Sequence, residues 1–267
     1  MNYLRAFFKL LLFFIILTSY FLVASLIYVS TFNPISRRRR LIKNTQRYAH
    51  FMSFIFKVKL FCKNPIDQYE NSLIIGNHLG FIDLLCLQRI QPCVFITSVE
   101  MKNTPLLGQI SQLAGCAYVD RLNRSHIQDE MQDIVTVLKE GFRIVLYAEA
   151  QASNGEQVLP FKKTLMMAAG YADRPIRPYV FNFTKVNGRP VEFKDRDHLC
   201  WYGDQTFFPA IFRTMQLKSI ECEIEFLEPV YIKPDDDRTV VSTTIHDLIE
   251  AKFKPFVRYP ANPLTQS

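Results

Sequence analysis

Apolar positions along the chain fall into two regimes. Residues 10–29, LLLFFIILTSYFLVASLIYV, form a run of twenty without a charge, and a helix rising about 1.5 Å per residue crosses a hydrocarbon layer of about 30 Å over that length. A cleaved leader has an apolar region of only about 7 to 15 residues that ends at small residues of the A-x-A kind. Neither feature is present, so the run predicts a membrane-anchoring helix. The stretch that follows, QRYAHFMSFIFKVKLF at 46–61, mixes aromatic residues with cations and predicts an interfacial helix leading into a first strand.

Beyond that point the apolar residues come in short β-branched runs: NSLIIG, CVFIT, CAYVD, RIVLY, PIRPYVFNF and IECEIEFLEP. Helical stretches lie between several of them. Ser125 and Gln128 have the spacing of a capping box, Ile127, Met131, Ile134, Val135 and Leu138 follow at helical period, and Gly141 closes the element. Strands alternating with helices of this length predict an α/β fold: a mostly parallel central sheet flanked by helices, with the N-terminal membrane-anchoring helix ahead of it. The Met and Leu residues of TLMMAAGYA are expected in the core. A last helix is expected over 240–254, where Pro255 stops it. The implied organisation is an anchor with a basic, interfacial segment over 1–56, the α/β domain over 57–258 and a loose tail over 259–267.

Charge sharpens the division. Residues 1–60 hold ten Lys and Arg and no Asp or Glu, which leaves 22 basic and 25 acidic residues, a net −3, in the rest of the chain. The pI of 9.1 therefore belongs to the N-terminus, and the main domain has no compositional case for nucleic acid. Arg37, Arg38, Arg39, Arg40, Lys43 and Arg47 follow the apolar run while only Arg5 and Lys9 precede it, which puts the domain on the cytoplasmic side. The same cluster either sets topology alone or also meets anionic headgroups, at about 1 kcal/mol per charge. Six cysteines without a C-x-x-C pair read as free thiols in a reducing compartment and not as a zinc site.

Candidate chemistry sits in NSLIIGNHLGFIDLLCLQ, where a strand ends at Gly76 and a helix begins near Gly80. Ligands of open α/β sheets bind at such strand ends. His78 lies in the turn and Asp83 in the first helical turn, so the carboxylate can fold back onto one imidazole nitrogen and leave the other to take a proton. The same pair also reads as a turn histidine capped by an acid. Chance supplies an H-x4-D spacing in about one such sequence in four, and His50, His126, His198 and His246 lack the partner.

The order of further blocks separates these readings. NHLGFID, then GCAYVDR, then YAEAQASNG with LPFK, then RPIRPYVF resemble the glycerolipid acyltransferase family, of the lysophosphatidate and lysophospholipid acyltransferase type, over roughly residues 59–232; WYGDQTFFP at 201–209 looks like its bacterial members. The resemblance implies an enzyme that moves a fatty acyl group from acyl-CoA or acyl-carrier protein to the hydroxyl of a membrane lysolipid, most simply 1-acylglycerol-3-phosphate, without cofactor or metal. His78 is then the general base and Asp83 its orienting partner. Arg121 matches the substrate-phosphate arginine, Glu149 the third-block glutamate, and Lys102 and Lys162 are the other implied substrate-binding residues.

The third block departs from the family pattern. Where many relatives read Glu-Gly-Thr-Arg-Ser, this chain has Glu149, Ala150, Gln151, Ala152 and Ser153. Ala152 cannot hold phosphate, and Ala150 restricts a turn where glycine permits φ > 0. A lysophospholipid with a larger head group, a lyso-aminolipid, or a catalytically silent lipid-binding scaffold are the alternatives this raises. A serine hydrolase is disfavoured because the chain has no G-x-S-x-G elbow.

Overall fold

The structure, a computed structural model, describes residues 2–120 and 124–256. Arg121 and the expected loose tail over 259–267 lie outside the described residues. The strands are β1 (Val58–Lys63), β2 (Leu73–Gly76), β3 (Val94–Ser98), β4 (Ala117–Val119), β5 (Ile144–Leu146), β6 (Ile176–Val186), β7 (Arg189–Pro190) and β8 (Ile220–Phe226). The helices are α1 (Asn2–Ser30), α2 (Pro34–Phe56), α3 (Phe81–Ile90), α4 (Val99–Asn103), α5 (Leu107–Leu113), α6 (Ile127–Lys139), α7 (Ala168–Ala172), α8 (Arg196–Leu199), α9 (Phe207–Met215) and α10 (Arg238–Glu250).

One sheet runs β1-β8-β6-β2-β5-β3-β4, with β7 hairpinned onto β6. β6, β2, β5, β3 and β4 are parallel, and β8 and β1 run the other way at one edge. The α/β fold with a mostly parallel sheet is therefore as the pattern predicts. Period-two alternation divides the core. Ile74 of β2 joins the core beneath α1, α2, α3 and α9, while Leu73 and Ile75 join the opposite core with α6, α7 and α10. Burying each such side chain contributes roughly 1.5–3 kcal/mol, so the position of β2 is fixed from both faces. β8 alternates differently: Cys222, Ile224 and Phe226 face the core, and Glu223 and Glu225 pair with Lys63, Lys252 and Lys254.

α1 is long and apolar enough to cross a membrane, yet contacts spread along it bind it to the domain. Arg5 donates to the Gln216 carbonyl at 3.1 Å and Lys9 to the Leu217 carbonyl at 2.8 Å, while Tyr20 reaches the Ile110 carbonyl at 3.4 Å. Ala6, Phe13, Leu17, Tyr20 and Ala24 form its buried stripe, and Phe7, Phe8, Leu11, Ile15, Leu22 and Leu26 point outward. Asn33 caps α2, with Pro34 in its first turn. The arginine run that follows is largely engaged within the protein: Arg38 pairs with Glu140 at 3.2 Å, Arg37 lies over the Tyr28 ring, and Arg40 donates to Thr31.

Two boundaries differ from the pattern. Ser125 does not cap α6; it lies inside a 3-10 turn, Arg124–His126, and the helix starts only at Ile127. That tighter turn replaces the expected first turn of α-helix. α10 begins at Arg238, behind the Asp237 cap, and ends at Glu250 rather than near Lys254. Asn182 of β6 accounts for the early end, donating to the Lys252 carbonyl and accepting from the Lys254 amide.

Candidate active site

The turn from β2 to α3 has its backbone almost wholly accounted for. Asn77 pins its start to β6, accepting from the Phe181 amide at 2.8 Å and donating to the Phe181 carbonyl at 3.0 Å. The His78 amide donates to Glu149 Oε1 at 2.7 Å, and the His78 carbonyl accepts from the Ser153 amide at 2.8 Å. Leu79 and Gly80 both donate to Asp83 Oδ2, at 2.5 and 2.9 Å. The Leu79 carbonyl accepts from the Trp201 amide at 2.9 Å. Gly80 has φ +148°, and a Cβ there would meet the Trp201 nitrogen at 2.8 Å, so only glycine fits this close approach.

On that frame His78 Nδ1 lies 3.2 and 3.1 Å from the two oxygens of Asp83. Asp83 is fully buried and the His78 side chain is 17% exposed. Among the described residues none hydrogen-bonds Nε2. The carboxylate thus fixes one nitrogen and leaves the other facing the solvent side as a proton acceptor. Among the described residues no serine, threonine or cysteine is bonded to His78, an arrangement in which a hydroxyl carried by a substrate can meet Nε2.

The other expected site residues fall in different places. Glu149 is buried, and both its oxygens are used, Oε1 by His78 and Oε2 by the Leu159 amide at 2.8 Å. It holds the first and third blocks together. Burial pushes its carboxyl up to about 7, against the pull of the two amides and of His78. Lys162 donates its amide to the Ala148 carbonyl at 2.7 Å and lines a cavity of about 840 Å³ at the ends of β3, β4 and β5. Lys163, Arg238, Asp120 and Glu130 line it too. Lys102 lies apart from that lining, exposed, with Nζ 5.1 Å from the centre of the Tyr118 ring. Arg121 is outside the described residues.

The turn of the third block has the conformation the sequence hinted at. Ala150 has φ 62°, in the left-handed region that favours glycine. Ala152 lines a second cavity of about 440 Å³ with Ser153, Asn154, Glu156 and Tyr202.

Tyr147 and Tyr179 were not legible as site residues. Tyr147 stacks on His78 with ring centres 4.0 Å apart and planes at 21°, and its hydroxyl donates to Asp83 Oδ1 at 3.1 Å. The Tyr179 hydroxyl donates to that of Tyr147 at 3.1 Å. The available signal was position: Tyr147 stands two residues before Glu149, and Tyr179 follows Arg177 and Pro178 in the fourth block.

All six cysteines are free. Among the described residues, His246, Asp247 and Glu250 bring metal-ligand atoms within 4.8 Å of one another. Two of the three are exposed, and His246 already ion-pairs with both acids.

Residues 57–182 match the family described as Acyltransferase. A lyso-ornithine lipid O-acyltransferase of Brucella abortus is 28% identical over 186 residues, covering 67% of this chain and 70% of that one. A 1-acyl-sn-glycerol-3-phosphate acyltransferase of Neisseria gonorrhoeae is 23% identical over 188 residues, covering 70% and 71%. The crystal structure of PlsC, the 1-acyl-sn-glycerophosphate acyltransferase of Thermotoga maritima, aligns with a TM-score of 0.66 at 14% identity over 94% of this chain and 95% of that one.

Proposed function

We propose that this chain, whose residues 57–182 match the family described as Acyltransferase, transfers a fatty acyl group from a thioester donor to the free hydroxyl of a lysolipid at a membrane surface. The observation that carries the mechanism is the His78 imidazole, held at Nδ1 by buried Asp83 and with no hydrogen bond to Nε2 among the described residues. Nε2 takes the hydroxyl proton as the oxygen attacks the thioester carbonyl. A tetrahedral intermediate forms, collapses to the new ester and expels the thiolate, which regains a proton from the imidazolium. Asp83 keeps the tautomer and stabilises the charged ring without itself taking the proton.

Acyl-CoA or acyl-carrier protein serves as donor, and 1-acylglycerol-3-phosphate is the acceptor read first. Its phosphate suits the larger cavity, where Lys162, Lys163 and Arg238 gather. A lyso-aminolipid is the second reading, and Ala152 favours it, because an uncharged side chain in the third block lines a cavity wall where relatives place an arginine. Relatives with names of both kinds occur among those matched.

Residues 1–56 act as the anchor and 57–258 as the catalytic domain, on the cytoplasmic side. Because contacts along α1 bind it to the domain, the anchor lies along the membrane face with its outward apolar stripe in one leaflet. Purified protein assayed with acyl-CoA and acyl-carrier protein against lysophosphatidate, larger lysophospholipids and lyso-aminolipids tests the assignment. Turnover that survives His78→Ala would sink the mechanism, and no turnover with any pair would leave a silent lipid-binding scaffold.

A further inference from the structure

We propose that Tyr147 is a positioning residue that sets the basicity of His78 by donating to one of the two Asp83 oxygens that meet the imidazole. This rests on the general-base reading of His78. Asp83 divides its other donors: Oδ2 takes the Leu79 and Gly80 amides and Oδ1 the Tyr147 hydroxyl, while His78 Nδ1 lies 3.1 Å from Oδ2 and 3.2 Å from Oδ1. The Tyr147 ring lies against one face of the imidazole, with the centres 4.0 Å apart. One residue therefore restrains both members of the dyad, the carboxylate by a hydrogen bond and the imidazole by stacking.

A relay stands behind it. Tyr179 donates to the Tyr147 oxygen at 3.1 Å, which leaves the Tyr147 proton directed at Asp83. Space for Tyr179 comes from Gly76 at the end of β2, where a Cβ would lie 2.3 Å from Tyr179 Cε1. Burial and the charge of Asp83 raise the Tyr147 hydroxyl well above the usual phenol range, so it stays a donor at every working pH. A neutral donor on Oδ1 draws charge from the carboxylate. Without it, more of that charge falls on the imidazole and favours the protonated ring, which is useless as a base.

The test compares the unaltered protein with Tyr147→Phe, which keeps the ring and removes the hydroxyl, and with Tyr179→Phe, which removes only the second donor. Turnover is followed alongside the titration of the His78 ring nitrogens by ¹⁵N NMR, with the signals assigned from His78→Gln. In Tyr147→Phe, the titration midpoint rises by about half a pH unit, and kcat measured below that midpoint falls by up to about three-fold with both Michaelis constants within about two-fold. Tyr179→Phe moves both readouts the same way by less. Adding Tyr147→Phe to Asp83→Asn costs nothing more, because the hydroxyl acts through the carboxylate. An unmoved midpoint in Tyr147→Phe, or an equal further loss in the Asp83→Asn background, overturns the inference. If the unaltered protein shows no turnover but the midpoint moves, the acyl-transfer reading fails and the Tyr147 coupling stands.

Discussion

The amide of His78 donates to Glu149 Oε1 at 2.7 Å, so the third block holds the main chain of the first. Oε2 of the same carboxylate takes the Leu159 amide. The loop 149–159 and the turn 77–80 are therefore clamped by one buried side chain. The glutamate that the family resemblance implies to be substrate-binding also builds the turn that presents His78.

The clamp has a pH signature. The Glu149 carboxyl stands at about 7 in the folded protein and near 4.5 otherwise. Between those values the folded state holds the proton more tightly, so the group favours folding below about 4.5 and loses that contribution as pH rises to about 7, roughly 3 kcal/mol in all. Melting temperature measured against pH should decline over that window and level off above it. Glu149→Gln should flatten the decline and cut kcat by more than about 10-fold, because its amide nitrogen faces a backbone donor. A decline of equal slope in the variant would assign it to another group.

His78→Ala should remove turnover to the limit of detection. Asp83→Asn should lower kcat by about 10²- to 10⁴-fold with little change in KM, since it alters the orientation and charge of the base and not the binding surface. Steady-state kinetics on folded protein check both. A full-rate Asp83→Asn would reduce Asp83 to a cap on α3.

Ala150 sits at φ 62°, where a Cβ costs about 1–2 kcal/mol. Ala150→Gly relieves that strain and gives back part of it as unfolded-state entropy. The expected net gain is about 0.5–1 kcal/mol, or about 2 °C in melting temperature by calorimetry. Ala150→Val should move it downward.

Ala152→Arg restores the charge of the third block beside the smaller cavity. It should raise kcat/KM for lysophosphatidate relative to a lyso-aminolipid by about 10-fold, mainly through KM. An unchanged ratio in competition assays would mean that the head group does not reach this wall.

If α1 lies along the domain, both ends of α1 face one side of the membrane. In vesicles of known sidedness, a membrane-impermeant maleimide should label Tyr3→Cys from the same side as Cys62, which is exposed on β1. Labelling of the two from opposite sides would require α1 to span.

The sheet, the apolar N-terminal helix and the contact between His78 and Asp83 were legible because each depends on local order. Twenty uncharged residues, β-branched runs and a histidine five positions before an aspartate in a strand-to-helix turn are properties of neighbours along the chain. Ala150 was legible too, since left-handed backbone is a cost borne by one residue. Helix ends were read less well. α10 ends at Glu250 because Asn182, some seventy positions earlier, captures the chain, and no local signal carries that.

By itself the sequence determined the α/β class, an apolar N-terminal helix and the residues able to form a His-Asp base, because periodicity and spacing act over a few residues. Only the tertiary structure decided that α1 lies against the domain, that Glu149 holds backbone and that Tyr147 stands behind Asp83. Those outcomes depend on side chains far apart in the chain meeting in a buried space, where each desolvated donor or acceptor has to find its partner.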